Sequence, residues 1–106
     1  MAIKIWPLGS VTPNVATDLV VPAAGKEAVV LGLFICNTGS DSGQVAIMVA
    51  DAAGTILATL VRTTLDPSDT VSVDTKICLP AKTAPDTVRV LSSVAGMSFF
   101  ASGDED

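Results

Sequence analysis

Acidic side chains are the first candidates for chemistry in this sequence, because closely spaced carboxylates can hold a divalent cation. Asp66 and Asp69 lie on either side of a proline, and Asp104, Glu105 and Asp106 close the chain. Neither spacing matches a calcium loop, in which alternating oxygen ligands end in a distal glutamate. We therefore expect solvated turn acids and a short acidic C-terminal tail, with no metal site and no cofactor.

Catalytic bases and nucleophiles are equally scarce. The chain has no His and no Tyr, so it lacks the commonest general base and the commonest neutral metal ligand. It contains no nucleophile elbow, no P-loop and no dinucleotide-binding fingerprint. The sequence therefore predicts a protein that is not an enzyme and has no catalytic residues.

Cys36 and Cys78 are the two cysteines, and they lie too far apart in the sequence for a CxxC motif. Each falls in a strand-like run, and no His is present to activate a thiolate. The favoured interpretation is that both are reduced thiols acting as small apolar side chains. An internal disulfide and an intermolecular disulfide are the alternatives.

Charge and hydropathy patterning argue against nucleic acid and membrane as partners. The net charge is −5, and the few basic residues are scattered, whereas phosphate contacts need clusters. The longest apolar stretch, 28–36, is far shorter than the ~20 residues of a membrane-spanning helix. The first residues lack the features of a secretory signal. We therefore expect a soluble, unsecreted protein.

The chain is rich in apolar residues for its size. Of its 106 residues, 49% are hydrophobic and 16% are charged, and the mean hydropathy is +0.59. A domain of this size hides only roughly 60 to 65% of the surface of its unfolded chain. One core cannot absorb so many apolar side chains, so the composition predicts apolar contacts between subunits of a homo-oligomer.

Short β-branched runs alternate with turn residues about every 10 residues, which is typical of an all-β sandwich or barrel. The runs are 18–21, 27–37, 44–50, 55–64, 71–79, 87–91 and 97–101. We predict an all-β protein: a single antiparallel β-sandwich, immunoglobulin-like or jelly-roll, of roughly seven to eight strands with an extended N-terminal arm. The unbroken apolar run 27–37 indicates a central strand buried on both faces, in which Gly32 marks a bulge or a close backbone approach.

Residues 1–17 precede the first convincing strand, so we divide the chain into this N-terminal arm or edge strand and a sandwich domain, 18–106. As an edge strand, the segment would fold onto its own sandwich. As an arm, it would add a strand to a neighbouring subunit. Phe99 and Phe100 are adjacent and point to opposite faces of a strand, so one ring leaves the core. The predicted subunit interface comprises Ile3, Ile5, Trp6, Pro7 and Phe100.

Several segments from Glu27 to the C-terminus carry a likeness to a known group of proteins. They are 31–39, which ends in Ile35-Cys36-Asn37-Thr38-Gly39; Asp69-Thr70-Val71; Asp86-Thr87-Val88-Arg89-Val90; and 92–105. In these segments the chain resembles the small β-sandwich virion proteins of tailed bacteriophages. The resemblance covers no part of the first 17 residues.

The resemblance implies a non-enzymatic part of a virus particle that assembles in the host cytoplasm. It implies a symmetric homo-oligomer, often a trimer, bound to the major capsid protein or another virion protein. The first expectation is a capsid decoration protein that binds and stabilises the capsid lattice. The alternative is a tail, neck or fibre accessory subunit that attaches fibres or binds a host surface.

Overall fold

The computed structural model describes residues 2–9, 11–74 and 76–106. These residues form nine strands in two antiparallel sheets. The strands are β1 (Ala2–Leu8), β2 (Thr17–Val20), β3 (Ala28–Asn37), β4 (Gly43–Ala50), β5 (Ile56–Leu65), β6 (Thr70–Val73), β7 (Ile77–Leu79), β8 (Thr87–Ser92) and β9 (Met97–Glu105). The predicted all-β antiparallel sandwich is confirmed. No helix among the described residues is long and apolar enough to cross a membrane.

The strand pairing is that of a jelly roll. β1 pairs with β9, β2 with β8, β3 with β6 and β7, and β4 with β5. These antiparallel pairs together form a long two-stranded ribbon. The ribbon is rolled up so that β9 also pairs with β3, and β8 with β4. The resulting sheets have the orders β1-β9-β3-β6, with β7 beside β3, and β2-β8-β4-β5. Of the two sandwich types left open by the sequence, the jelly roll, with its rolled pair of sheets, is therefore the one that forms.

The strand count exceeds the expected seven to eight partly because the predicted run 71–79 is interrupted. β6 ends opposite Leu33 of β3, and β7 begins opposite Val30. Between these positions β3 has a bulge at Leu31, which interrupts the ladder at the same level. Thr75, in the middle of the predicted run, lies outside the described residues. Together β6 and β7 occupy the place of one jelly-roll strand.

The first and the last strand both lie in the five-stranded sheet. β1 pairs with β9 of the same chain without a register shift, from Ala2 opposite Glu105 to Leu8 opposite Phe99. The predicted acidic tail is wrong, because β9 continues to Glu105 between β1 and β3. A Cβ at Gly103 would lie 1.9 Å from the Val29 carbonyl oxygen, so glycine is required where β9 crosses the bulge in β3. The division of the chain at residue 17 stays a prediction.

The core lies between the two sheets and includes one polar residue that joins them. Asn37, at the end of β3, is fully buried. Its Nδ2 donates to the carbonyl oxygens of Asp41 (2.8 Å) and Leu65 (3.1 Å), and its Oδ1 accepts from the Gly39 N–H at 3.0 Å. Because Leu65 ends β5 in the other sheet, these bonds connect the two layers where the chain crosses between them. A buried amide satisfied in this way favours one arrangement of the loops.

Replacing Asn37 with leucine should therefore destabilise the fold strongly. The Asn37→Leu variant keeps the number and branching of the side-chain heavy atoms but leaves buried backbone groups without partners, which should lower the free energy of unfolding by about 2–4 kcal/mol. Urea denaturation followed by circular dichroism measures this change. Thr83→Leu, at an exposed loop position, is the control and should change stability by no more than about 0.5 kcal/mol. Equal stability of both variants would contradict the role given to Asn37.

Candidate interaction surface

The central strand β3 is apolar on both faces, but the second sheet covers only one of them. Val30, Leu33 and Ile35 point inward and are almost completely buried. Leu31 and Phe34 point outward and are 50% and 44% exposed. The prediction that β3 is buried on both faces is therefore wrong. In a two-layer sandwich each sheet covers only the inner side of the other. The outward side of an apolar central strand therefore meets solvent.

The register of the sheet places further apolar side chains on this same outward side. Phe100 of β9 lies opposite Phe34 on one flank and opposite Pro7 of β1 on the other, and directly opposed residues share a face. The Phe34 and Phe100 ring centroids are 6.4 Å apart with a tilt of 53°. We call this side of the five-stranded sheet the outer face; its apolar members are Ile3, Ile5, Pro7, Leu31, Phe34, Cys36 and Phe100.

A shallow groove of about 280 Å³ crosses the outer face above β9. Pro7 and Gly9 form one wall, Phe34 and Cys36 form the other, and Ser98 lies on its floor. None of the lining side chains is charged. The groove can therefore accept an apolar side chain, but it offers no group that would bind an anion or a metal ion.

Four of the five predicted interface residues lie on the outer face. Ile3 is 90% exposed and Ile5 is 56% exposed, Pro7 is exposed, and Phe100 is half-buried. Phe99 is in the core, which confirms that one ring of the Phe99–Phe100 pair leaves it.

Trp6, the fifth predicted interface residue, lies in the core. It alternates with Ile5 and Pro7 along β1, so it points inward, and it is only 8% exposed. Lys4 lies on the same side of the strand, with its Nζ 5.8 Å from the centre of the Trp6 ring. The Trp6 ring is therefore not available on the surface of this chain.

Sequence reasoning missed Leu31 and Phe34 as surface residues. The signal that could have found them is the unbroken apolar run of β3 itself. In a two-layer antiparallel sandwich, such a run places apolar side chains outside as well as inside.

The Glu105 carboxylate stabilises the position of the first half of β1, which carries Ile3 and Ile5. Glu105 of β9 accepts a hydrogen bond from the Ala23 N–H at 2.8 Å and forms an ion pair with Lys4 of β1. The Ala23 N–H bond, followed by the bond from Lys4 and the positive charges of Lys4 and Lys26, holds the pKa of the Glu105 carboxyl below its usual value. Its ionised form therefore stabilises the attachment of β1.

The lowered pKa of Glu105 predicts a loss of stability in acid. The contribution is fully present above the usual pKa of about 4.5 and disappears as the pH falls through the lower pKa of the folded state. Glu105→Gln should lower the melting temperature at neutral pH and make it less dependent on pH in the acidic range. Thermal unfolding at a series of pH values measures both effects. Glu27→Gln, at an exposed position, should follow the unsubstituted chain; the same flattening in both variants would contradict this assignment.

Two of the candidate cation ligands, Asp66 and Asp69, accept hydrogen bonds in the turn before β6. The Asp66 Oδ1 accepts from the Ser42 hydroxyl at 2.7 Å, and the Asp69 Oδ2 accepts from the Asp66 N–H at 3.2 Å. In the part of the chain that the structure describes, no three metal-ligating side chains cluster together.

The two cysteines lie at opposite ends of β3. Cys36 is in β3 itself, and Cys78 pairs with Val29, seven positions away along that strand. At ~3.3 Å per residue their Cα atoms are roughly 20 Å apart, far beyond the ~7 Å limit for a disulfide. The alternative of an internal disulfide is therefore wrong, and both thiols are free within the chain.

Both thiols should titrate with a thiol reagent in the folded, monomeric chain. Cys78 is exposed and Cys36 is half-buried, so Cys78 should react faster. Reducing and non-reducing electrophoresis of the monomer should give the same mobility, whereas a compact, faster-migrating species that disappears on reduction would contradict the geometry.

A second exposed apolar region lies on the opposite sheet, along the edge strand β5. Ile56, Leu57 and Leu60 are all at least partly in solvent. The register of β5 against β4 shifts twice, which leaves Leu57 and Leu60 as the extra residues of two bulges. We call these three residues the β5 patch.

Comparison with known proteins finds likeness at the level of the chain trace. No family model matches the chain, and no curated protein sequence matches it. A chain of the T13 particle of infectious bursal disease virus is similar to it with a TM-score of 0.43 and 12% identity, over 94% of this chain and 31% of that one. A chain of the Gx strain gives 0.43 and 17%, over 97% and 31%. One from T=1 particles derived from this virus gives 0.41 and 14%, over 97% and 30%. This chain spans about a third of the length of those chains.

Proposed function

We propose that this chain is a non-enzymatic structural subunit of a virus particle, a decoration protein whose outer face binds the major capsid protein. The observation that carries this proposal is the outer face itself, where Phe34, Phe100 and two isoleucines of β1 stand outside the core. Several exposed apolar side chains on one side of a sheet are typical of a protein–protein contact.

The energy available from the outer face suits an assembly. Burying a large apolar side chain completely is worth about 1.5–3 kcal/mol, and Ile3, Ile5, Leu31 and Phe34 each have about half or more of their surface still to bury. A subunit present in many copies on a shell adds such contacts through multivalency, so a modest single contact suffices.

The chemistry of the outer face favours a protein partner over a glycan. Jelly rolls occur both in viral capsid domains and in lectins, so the fold does not select between these roles. Sugar recognition combines ring stacking with convergent polar groups, whereas the groove beside Phe34 and Phe100 has Ser98 as its one polar side chain. An apolar side chain of another protein can contact Phe34 and Phe100 without any further polar partner. The outer face therefore favours a protein over a glycan.

The proposal includes self-association within the particle. The resemblance to bacteriophage virion proteins implies a symmetric homo-oligomer, often a trimer, and the exposed Ile3 and Ile5 offer apolar surface for self-association. Virion localisation follows from the same proposal.

Co-sedimentation with virus particles tests the proposed function. A tagged copy expressed during infection should travel with gradient-purified particles, and electron microscopy with an antibody to the tag should label the shell. A Phe34→Ser, Phe100→Ser double variant loses about 2 kcal/mol or more of burial, so its occupancy on particles should fall at least about tenfold.

The matched control is Leu57→Ser in the β5 patch, which should leave particle occupancy unchanged. Label at the tail or fibres would favour the accessory role over the decoration role. Unsubstituted chain that stays at the top of the gradient would contradict both.

A further inference from the structure

The outer edges of the two sheets differ in how well they are protected against pairing with another strand. The four edges are β1, the β6–β7 pair, β2 and β5. A long, regular edge strand exposes a row of backbone donors and acceptors to which another strand can pair. Natural sheets protect such edges with short strands, bulges, prolines and charged side chains.

Three of these edges carry such protection. β5 has two bulges, and β2 is only four residues long with a register shift of its own. β6 and β7 contain four and three residues, and the charged residues Asp74 and Lys76 lie between them. Bulges and short lengths make these edges poor templates for a ladder.

The edge of β1 is neither short nor bulged, and its two protective residues are Pro7 and Lys4. It is seven residues long, and its register with β9 is continuous. A proline is tolerated within an edge strand where its nitrogen points away from the neighbouring strand, so Pro7, and with it Ile3 and Ile5, direct their backbone groups outward from the sheet. The charge of Lys4 is paired with Glu105, so it does not guard this edge.

We propose that β1 pairs antiparallel with β1 of a second copy, about a two-fold axis at Ile5. In this register Ile5 lies opposite Ile5 of the second copy, and the two exchange their N–H and C=O groups. Ile3 lies opposite the second copy's Pro7, whose carbonyl accepts from the Ile3 N–H. Pro7 has no N–H to donate in return, so the Ile3 carbonyl has no partner in this ladder and keeps its contact with solvent.

A second copy of the chain suits this edge in charge and in surface. The one charged side chain of β1, Lys4, is neutralised within its own subunit by Glu105, so the contact brings no like charges into opposition. Ile3 and Ile5 of both copies would meet and join the two outer faces into one apolar surface. The edge pairing goes beyond the proposed function, because it does not depend on what that surface binds. It gives a dimer in place of the trimer that the resemblance implies.

Electrostatics gives the contact a recognisable salt dependence. Each copy has a net charge of −5, so two copies repel each other at low ionic strength, and added salt screens that repulsion. Pairing through backbone hydrogen bonds and isoleucines should therefore become tighter as salt is added. An interface built on ion pairs would become weaker.

Sedimentation equilibrium tests the pairing directly. The unsubstituted chain should form a species of twice the 10.7 kDa monomer mass across the micromolar range. Ile5→Lys should weaken this dimer at least about tenfold in its dissociation constant, although the added lysine lowers the net negative charge. The matched control is Ile56→Lys on the bulged β5 edge, which should leave the dimer intact. Thermal unfolding verifies that both variants fold.

The register is tested by cross-linking through a single new cysteine. In a background of Cys36→Ser and Cys78→Ser, Ile5→Cys should form a covalent dimer under mild oxidation. Opposed residues of a hydrogen-bonded pair have Cα atoms ~5.5 Å apart, within the range for a disulfide. Ile56→Cys should remain uncross-linked.

Each other outcome would overturn the edge pairing. A monomer or a trimer by mass, a dimer that survives Ile5→Lys, or failure of Ile5→Cys to cross-link would each exclude it. A monomer that still co-sediments with particles would leave the proposed function standing while excluding this contact.

Discussion

Two stacked sheets cover only the sides that face each other, and the rest of this molecule depends on that constraint. The jelly roll buries the inward residues of β3 and β9 almost completely, yet Leu31 and Phe34 of β3 and Phe100 of β9 are apolar and point outward. A third layer or a partner would have to cover them, and the described residues contain no third layer. The outer face is therefore a direct consequence of an apolar central strand in a two-layer fold.

The strands could be predicted from the sequence more readily than their arrangement. Period-two alternation and turn residues indicate seven of the segments. Gly32 predicts a bulge or a close backbone approach, and the structure has a bulge at the preceding Leu31. The pairing of β1 with β9 depends on residues almost a hundred positions apart, and no local pattern reveals it. For the same reason the sequence wrongly predicts that residues 104–106 form an acidic tail. Contacts with Lys4 and with the Ala23 N–H, both distant in the sequence, hold Glu105 in a strand.

For the candidate surface too, features that depend on neighbouring residues could be predicted, and features that depend on strand pairing could not. Phe100 was predicted to leave the core because adjacent strand residues point to opposite faces. Alternation along β1 places Trp6 on the opposite side from Ile5 and Pro7. The sequence does not show which of these two sides faces the second sheet, so Trp6 was wrongly assigned to the interface. Leu31 and Phe34 were missed because an unbroken apolar run was interpreted as burial on both faces. The fold covers one face only, so the same run instead marks the surface.

The central claim is that the outer face is buried when the protein performs its role. Hydroxyl-radical footprinting of the free chain and of the assembled particle measures this at individual side chains. The account predicts that oxidation of Phe34 and Phe100 falls at least about fivefold on assembly, since a covered interface core excludes water, and that Leu57 of the β5 patch changes little. Equal oxidation of Phe34 and Phe100 in both states would contradict it.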